Sequence, residues 1–354
     1  MTNKKLKLIF AGTPEFSVPT LSRLHQEGYE ISLVLTQPDR KSGRGMNLKA
    51  SPIKQKAMEL GVPIFQPNKL KNPDVHHRLK EEKADILIVA AYGLIIPSDI
   101  LNIFTKGSYN VHASLLPAWR GAVPIHRAIE SGDKEIGVTI MSVIPKLDAG
   151  DIVRSEKIDL DTNANTGDMT NLIAKIGADL MVKVLNDLNE NRDLKPTQQN
   201  EKMVTYAEKI SKEEARVVWK DVSSEIIVRK INAFNPFPGV FCNFNGKILK
   251  IWKAKTLNKF KKSEPGRIYV NHEKNNLYIG TKDGSIEVKE IQLEGKRKMN
   301  AKELFAEFKH TKKNQPCYDF WKSSKLNHSK NDKFSFKLEN EFEPSIVVKI
   351  TQIN

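Results

Sequence analysis

Over the first half of the chain, short apolar runs alternate with amphipathic stretches. Residues 7–11 form one such run, which stops at Gly12-Thr13-Pro14; Phe16, Leu21 and Leu24 then recur at helical spacing until Gly28. A strand, a turn and a helix are expected there. A second strand is expected over 31–35, and a helix carrying Ala57 and Leu60 stops at Gly61. Asp85-Ile86-Leu87-Ile88-Val89-Ala90-Ala91 reads most clearly as a strand. Another strand is expected over 152–160, then a long helix over 166–188 with Met169, Leu172, Ile173, Ile176, Leu180 and Leu188 on its apolar side. Apolar strands alternating with helices imply an α/β, mostly parallel sheet covered on both faces, with ligands at the carboxyl ends of its strands. Gly12, Tyr92-Gly93 and His112 fall at such ends.

The pattern then changes. Residues 189–200 are polar with one proline, and a linker is expected over 189–207. Beyond Val240 short strands over 248–252, 266–270, 277–280 and 285–291 alternate with turns, as in a small barrel or sandwich. Trp252, Tyr269 and Tyr278 stand among Lys247, Lys250, Lys253, Lys255 and Arg267 and are read as barrel core rather than base-stacking platforms. A short helix is expected over 301–308, with Leu304, Phe305 and Phe308 on one side, and two further strands over 334–338 and 346–350.

One connection stands out by its length. Residues 36–49, Thr-Gln-Pro-Asp-Arg-Lys-Ser-Gly-Arg-Gly-Met-Asn-Leu-Lys, exceed the usual two to six residues between a strand and a helix. A mobile, structureless loop is expected. Arg40, Lys41, Arg44 and Lys49 suit it to a phosphate backbone, though a solvated loop has the same composition.

At 354 residues with 39% apolar content, the chain is long enough for two domains. Its 2 cysteines, Cys242 and Cys317, have neither disulfide-framework nor zinc-ligand spacing, and a reducing compartment fits. The apolar run near the N-terminus is too short for a signal peptide or a membrane span, so a cytoplasmic protein without membrane association is expected. The net charge of +15 is uneven: residues 1–200 carry 26 Lys and Arg against 23 Asp and Glu, whereas 201–354 carry 31 against 19. This fits a polyanion such as nucleic acid as well as it fits a lysine-rich solvated surface. The first turn lacks the further glycines of Gly-x-Gly-x-x-Gly, and no P-loop occurs, so neither nicotinamide nor ATP dependence is expected.

The candidate chemistry lies in Tyr109-Asn110-Val111-His112-Ala113-Ser114-Leu115-Leu116-Pro117-Ala118-Trp119-Arg120-Gly121. Asn110 and His112 are two apart in an extended run and so share a face. Pro117 and Gly121 bracket a turn, leaving 114–120 as a loop beside that pocket. Asp148, in the turn Leu147-Asp148-Ala149-Gly150, is placed to close a His-Asp pair.

This combination resembles the signature of the 10-formyltetrahydrofolate-dependent formyltransferases, and the resemblance extends over residues 5–309. Pro38-Asp39-Arg40-Lys41-Ser42-Gly43-Arg44-Gly45 resembles a loop that, in the methionyl-tRNA formyltransferases of that family, reaches the acceptor arm of the initiator tRNA. Residues 206–215 and Phe234-Asn235-Pro236-Phe237-Pro238 resemble segments of their second domain. The resemblance implies a Rossmann-like formyltransferase domain over 1–188, a linker over 189–207 and an OB-like β-barrel over 208–309 that binds tRNA. The extension 310–354 departs from the pattern.

Its implied activity is formyl transfer from 10-formyltetrahydrofolate, a reduced folate, to initiator methionyl-tRNA, by a monomer. The reaction needs a donor for an oxyanion, a group moving protons near neutrality, and a carboxylate beside it; Asn110, His112 and Asp148 are the candidates. Ser114, Leu115, Leu116 and Pro117 are implied to line the folate site, with Tyr92 and Gly93 at the pterin. Arg40, Lys41 and Arg44 are the tRNA contacts. No metal is needed, and His76-His77 reads as the polar side of a helix. A formyltransferase acting on a small amine such as a nucleotide-linked amino sugar, and a non-enzymatic RNA-binding relative, stay open as alternatives.

Overall fold

Strands that are apolar along their whole length must bury both faces, and the first part of the chain does this with a single sheet flanked by helices. The structure, a computed structural model, describes residues 5–42, 47–244, 246–257, 263–271, 276–303, 336–337 and 351–352. Two compact units emerge: residues 1–128, 133–161 and 168–209 in the first, and 129–132, 162–167 and 210–354 in the second.

In chain order, the residues up to 209 hold β1 (Lys7–Gly12), α1 (Val18–Gln26), β2 (Glu30–Leu35), β3 (Arg40–Ser42), β4 (Asn47–Lys49), α2 (Pro52–Glu59), β5 (Ile64–Phe65), α3 (Pro73–Glu81), β6 (Ile86–Ala90), α4 (Ser98–Leu101), β7 (Ser108–His112) and β8 (Arg120–Gly121). There follow α5 (Pro124–Ser131), β9 (Glu135–Ser142), β10 (Ile152–Asp159), α6 (Thr166–Asn189) and β11 (Tyr206–Ala207). The main sheet runs β10-β9-β7-β6-β1-β2-β5. Only β9 opposes the others, since β10 pairs antiparallel to it and so regains the common direction. β1 and β6, buried almost throughout, supply Leu8, Ile9, Phe10, Ile86, Leu87 and Ile88 to the core. Each such side chain contributes about 1.5–3 kcal/mol. From β1 the chain turns first to β2 and β5 on one side, and later to β6 and β7 on the other. The strand order therefore reverses at the carboxyl ends of β1 and β6, where ligands of open α/β sheets bind.

Two expectations need correcting here. The connection 36–49 is not structureless: β3 and β4 form an antiparallel ribbon with Arg40 opposite Lys49, Lys41 opposite Leu48 and Ser42 opposite Asn47. Nothing in its hydrophobic pattern betrays it, because β4 is exposed and the pairing is made by backbone. The root of the ribbon is fixed by Asp39, which takes Lys54 Nζ at 2.7 Å and Gln66 Nε2 at 2.9 Å. Lys54 first and Gln66 second hold the Asp39 carboxyl below the usual carboxylate range. Residues 43–46, Arg44 among them, lie outside the described residues. The second correction concerns 189–207, which is laid along the first unit: Thr197 and Ile152 exchange two backbone hydrogen bonds of 2.8 Å, and β11 pairs in parallel with β8.

In the second unit, α7 (Ser224–Ala233) precedes β12 (Val240–Phe244), β13 (Lys247–Leu257), β14 (Arg267–Asn271), β15 (Asn276–Gly280), β16 (Ser285–Leu293) and β17 (Met299–Asn300). They form an antiparallel half-barrel in the order β12-β13-β16-β15-β14, with β17 against β16. Trp252, Tyr269 and Tyr278 are buried, as expected of core aromatics, and Lys298 Nζ lies 4.3 Å from the Trp252 ring centroid. Of the extension, β18 (Phe336–Lys337) pairs antiparallel and β19 (Thr351–Gln352) parallel to β14. The expected helix 301–308 lies outside the described residues from 304 on, and so does the expected strand 346–350.

Gly137 of β9 is a place where the sheet admits no side chain. A β-carbon there would stand 2.2 Å from the Glu156 carbonyl oxygen and 2.5 Å from Leu115 Cδ2. Gly137→Ala should cost about 1–3 kcal/mol of stability, the usual range for overpacking. Urea unfolding reads it, and an unchanged midpoint would contradict this packing.

Candidate active site

A cavity of about 620 Å³ opens at the reversal of strand order. Its size is in the range of small-molecule sites, which run to a few hundred cubic ångströms with mostly apolar walls and few polar groups. Phe16, Leu94, Ile96, Met141 and Val143 provide apolar wall. Asn110, His112 and Asp148 line the same cavity.

The last strand residues of β7 carry two of these three. Asn110 keeps its side-chain amide free of hydrogen bonds to other described residues. His112 is buried, with Nε2 3.1 Å from the Trp119 carbonyl oxygen and Nδ1 3.7 Å from Asp148 Oδ2. The ring thus sits between two acceptors, one at each nitrogen, and a proton on either nitrogen has a neighbour. At 3.7 Å the Asp148 contact is the expected His-Asp pair at ion-pair distance, longer than a direct hydrogen bond. The hydrogen bond of that carboxylate comes instead from the Gly121 backbone N–H, 2.9 Å from Oδ2.

Asp148 reaches this place through an unusual backbone. Its φ is +47°, in the left-handed region that Asp tolerates better than most residues. Two residues on, a β-carbon at Gly150 would lie 1.8 Å from the Ser142 carbonyl oxygen, so the turn presses its backbone against the end of β9. Gly121 is under the same constraint: its φ is +124°, and a β-carbon would meet the Ala207 carbonyl oxygen at 2.8 Å.

Other residues singled out in the sequence are placed as follows. Tyr92 and Gly93 line the cavity. The Tyr92 carbonyl accepts from Thr13 Oγ1 at 3.0 Å and Gln37 Nε2 at 3.1 Å. Burial pushes the Tyr92 phenol up to about 12, and its hydroxyl has no partner among the described residues. Ser114, Leu115, Leu116 and Pro117 are not among the residues lining the cavity. They are tied to β9: Thr139 Oγ1 donates to the Ser114 carbonyl at 2.7 Å and accepts from Leu116 N at 3.2 Å, while Ser114 Oγ donates to Ala118 O at 2.6 Å. Leu115 lies across the bare backbone of Gly137. Arg40 is exposed and donates to the Gln37 side chain, and Lys41 sits in the ribbon at the register given above.

Sequence reasoning missed Arg120 and Gln199. Arg120 is quoted in the motif without a role, yet it is wholly buried, and Gln199, from the supposed linker, reaches the Asp148 turn. An arginine inside an otherwise apolar-and-turn motif was the available signal, because a buried guanidinium must have partners. Among the described residues no group of three or more His, Cys, Asp or Glu is placed to hold a metal ion, and no helix is long and apolar enough to cross a membrane.

Comparison with known proteins places both regions of the chain in one family. Residues 4–185 match the formyl transferase family, and residues 209–309 match the formyl transferase, C-terminal domain. A methionyl-tRNA formyltransferase of Methylobacillus flagellatus is 44% identical over 301 residues, 85% of this chain and 96% of that protein. One from Neisseria gonorrhoeae is 43% identical over 296 residues, 83% of this chain and 95% of that protein. Among solved structures, the N-formyltransferase from Helicobacter canadensis, in complex with folinic acid and dTDP-3-aminofucose, has a TM-score of 0.60 at 18% identity, over 83% of this chain and 100% of that one. At such identity the likeness concerns the fold alone. With both of its regions matched, and with relatives aligned along nearly their whole length, this chain belongs to the formyl transferase family.

Proposed function

We propose that the protein transfers the formyl group of 10-formyltetrahydrofolate to the free α-amino group of methionyl initiator tRNA, a step of translation initiation in the cytoplasm. The observation that carries this reading is the 44% identity to a methionyl-tRNA formyltransferase along 96% of its length. The cavity supports the chemistry: apolar walls suit a pterin, and the three polar groups converge at its lining.

In the transfer the acceptor nitrogen attacks the formyl carbon, a carbon–nitrogen bond forms, and the formyl oxygen becomes negative. Asn110 donates to that oxygen. A positioned donor of this kind lowers the barrier by about 3 to 4 kcal/mol. As the bond from the formyl carbon to N10 of the folate breaks, His112 takes the proton leaving the acceptor amine and delivers one to N10. The Asp148 carboxylate stands at ion-pair distance and stabilises the ring while it is cationic. The amine loses one proton and the folate gains one, so no oxidant and no ATP enter.

Substitution separates these roles from folding. Asn110→Ala, His112→Ala and Asp148→Ala should each lower kcat by roughly 100-fold or more with the fold kept, and the losses should not add. The assay is formyl transfer from 10-formyltetrahydrofolate to charged initiator tRNA, run beside free amino compounds. A His112→Ala enzyme near wild-type turnover would sink the mechanism, and a preference for a free amino compound would sink the acceptor.

The ribbon β3–β4, and Arg44 from the residues between its strands, are proposed to meet the tRNA backbone. Arg40→Ala, Lys41→Ala and Arg44→Ala should raise KM for tRNA while leaving folate binding intact, since each removes a phosphate contact. Equal losses toward folate and tRNA would instead place these side chains in the support of the fold.

A further inference from the structure

The Asp148 turn is held by a side chain with no assigned role. Gln199 is 5% exposed, and its Nε2 donates to two backbone carbonyls of the turn, Asp148 O at 2.9 Å and Gly150 O at 2.6 Å. These two hydrogen bonds hold the main chain directly after the Asp148 side chain, at its own carbonyl and at the carbonyl two residues on. The amide is not free to turn over. Its Oε1 accepts from Arg120 Nε at 3.0 Å, and an arginine can only donate, so the oxygen must face Arg120 and the nitrogen must face the turn.

Arg120 is in turn fixed from both ends. Its guanidinium is fully buried and meets the Glu201 carboxylate, with NH2 3.0 Å from Oε1. Its backbone N–H donates to Thr205 O at 2.9 Å. The backbone of the following residue, Gly121, holds the Asp148 carboxylate itself. One short segment therefore grips the aspartate twice: directly at Oδ2, and through Gln199 at its main chain. Gln199 reaches the turn because Thr197 is paired with Ile152 just after it.

We propose that Gln199 is a positioning residue for the transfer step, holding the left-handed turn so that Asp148 stands beside His112, with Arg120 setting the orientation of the Gln199 amide. This rests on the role given to Asp148 above, and a double-mutant cycle tests the two separately. Gln199→Glu keeps the acceptor for Arg120 and removes both donors to the turn; Gln199→Met keeps the volume without charge. Each is made in the full-length protein, alone and together with Asp148→Asn. For each protein, kcat and KM for 10-formyltetrahydrofolate and for methionyl-tRNA are measured, with a melting curve.

In the wild-type background kcat should fall by about 10- to 100-fold, the scale of an ångström-sized misplacement, with KM for the folate donor changed by less than about twofold. In the Asp148→Asn background the same substitution should change kcat by less than about twofold, because the group it positions is gone. A merely structural role would cost the same factor in both backgrounds, and that result overturns the proposal. So does a folded Gln199→Glu or Gln199→Met enzyme with kcat within about twofold of wild type. Near wild-type turnover of Asp148→Asn alone would overturn the Asp148 reading, and this proposal with it.

Discussion

A carboxylate has to be delivered to a buried imidazole by a turn that belongs to no helix or strand, and much of the first unit's unusual backbone serves that delivery. Asp148 stands at positive φ, Gly150 gives up its side chain so that the turn can touch β9, and Gly121 gives up its own so that β8 can lie against Ala207. Left-handed backbone at a non-glycine residue costs on the order of 1–3 kcal/mol and persists only where surrounding structure over-determines it. Here that structure is the N–H of Gly121, the amide of Gln199, and the hydrogen bond from Ser142 N to Asp151 O at 2.9 Å. The core of β1 and β6 supplies the stability against which such local costs are set.

What could be read from the sequence was whatever leaves a periodic or a stereochemical mark. The all-apolar runs gave β1 and β6, the helical spacing of Met169, Ile173 and Leu180 gave α6, and the period of two placed Asn110 and His112 together on the cavity lining. Elements held by backbone pairing alone left no such mark. The strand β4 of the ribbon is exposed, and the pairings of β8 with β11 and of Thr197 with Ile152 involve two residues or fewer on each side. A polar stretch with a proline reads as a linker whether it hangs free or is stitched along a domain. The loop 114–117 illustrates a different limit: the resemblance implies a folate-lining role for it, and its attachment to β9 through Thr139 left no mark in the sequence.

The groups proposed to react and the groups proposed for acceptor recognition occupy different kinds of structure. Asn110 and His112 are at the end of a central strand, where Asn110 is paired with β6 and β9 and His112 with β9, and angular precision of that kind is what positioned donors and bases require. Arg40 and Lys41 are on a two-stranded ribbon outside the main sheet, and the basic excess lies after residue 200. Contacts to phosphate set register and affinity without needing such precision.

That division follows from size. A cavity of about 620 Å³ accommodates a small donor and the end of an acceptor, but not a folded nucleic acid. Any discrimination between a tRNA and a small amine must then be made by surfaces beyond the cavity, because the reacting amine itself offers the site little to distinguish. Under the proposed assignment, changes in Asn110, His112 or Asp148 would bear on the rate for any acceptor, whereas changes in the ribbon would bear on which acceptor is used.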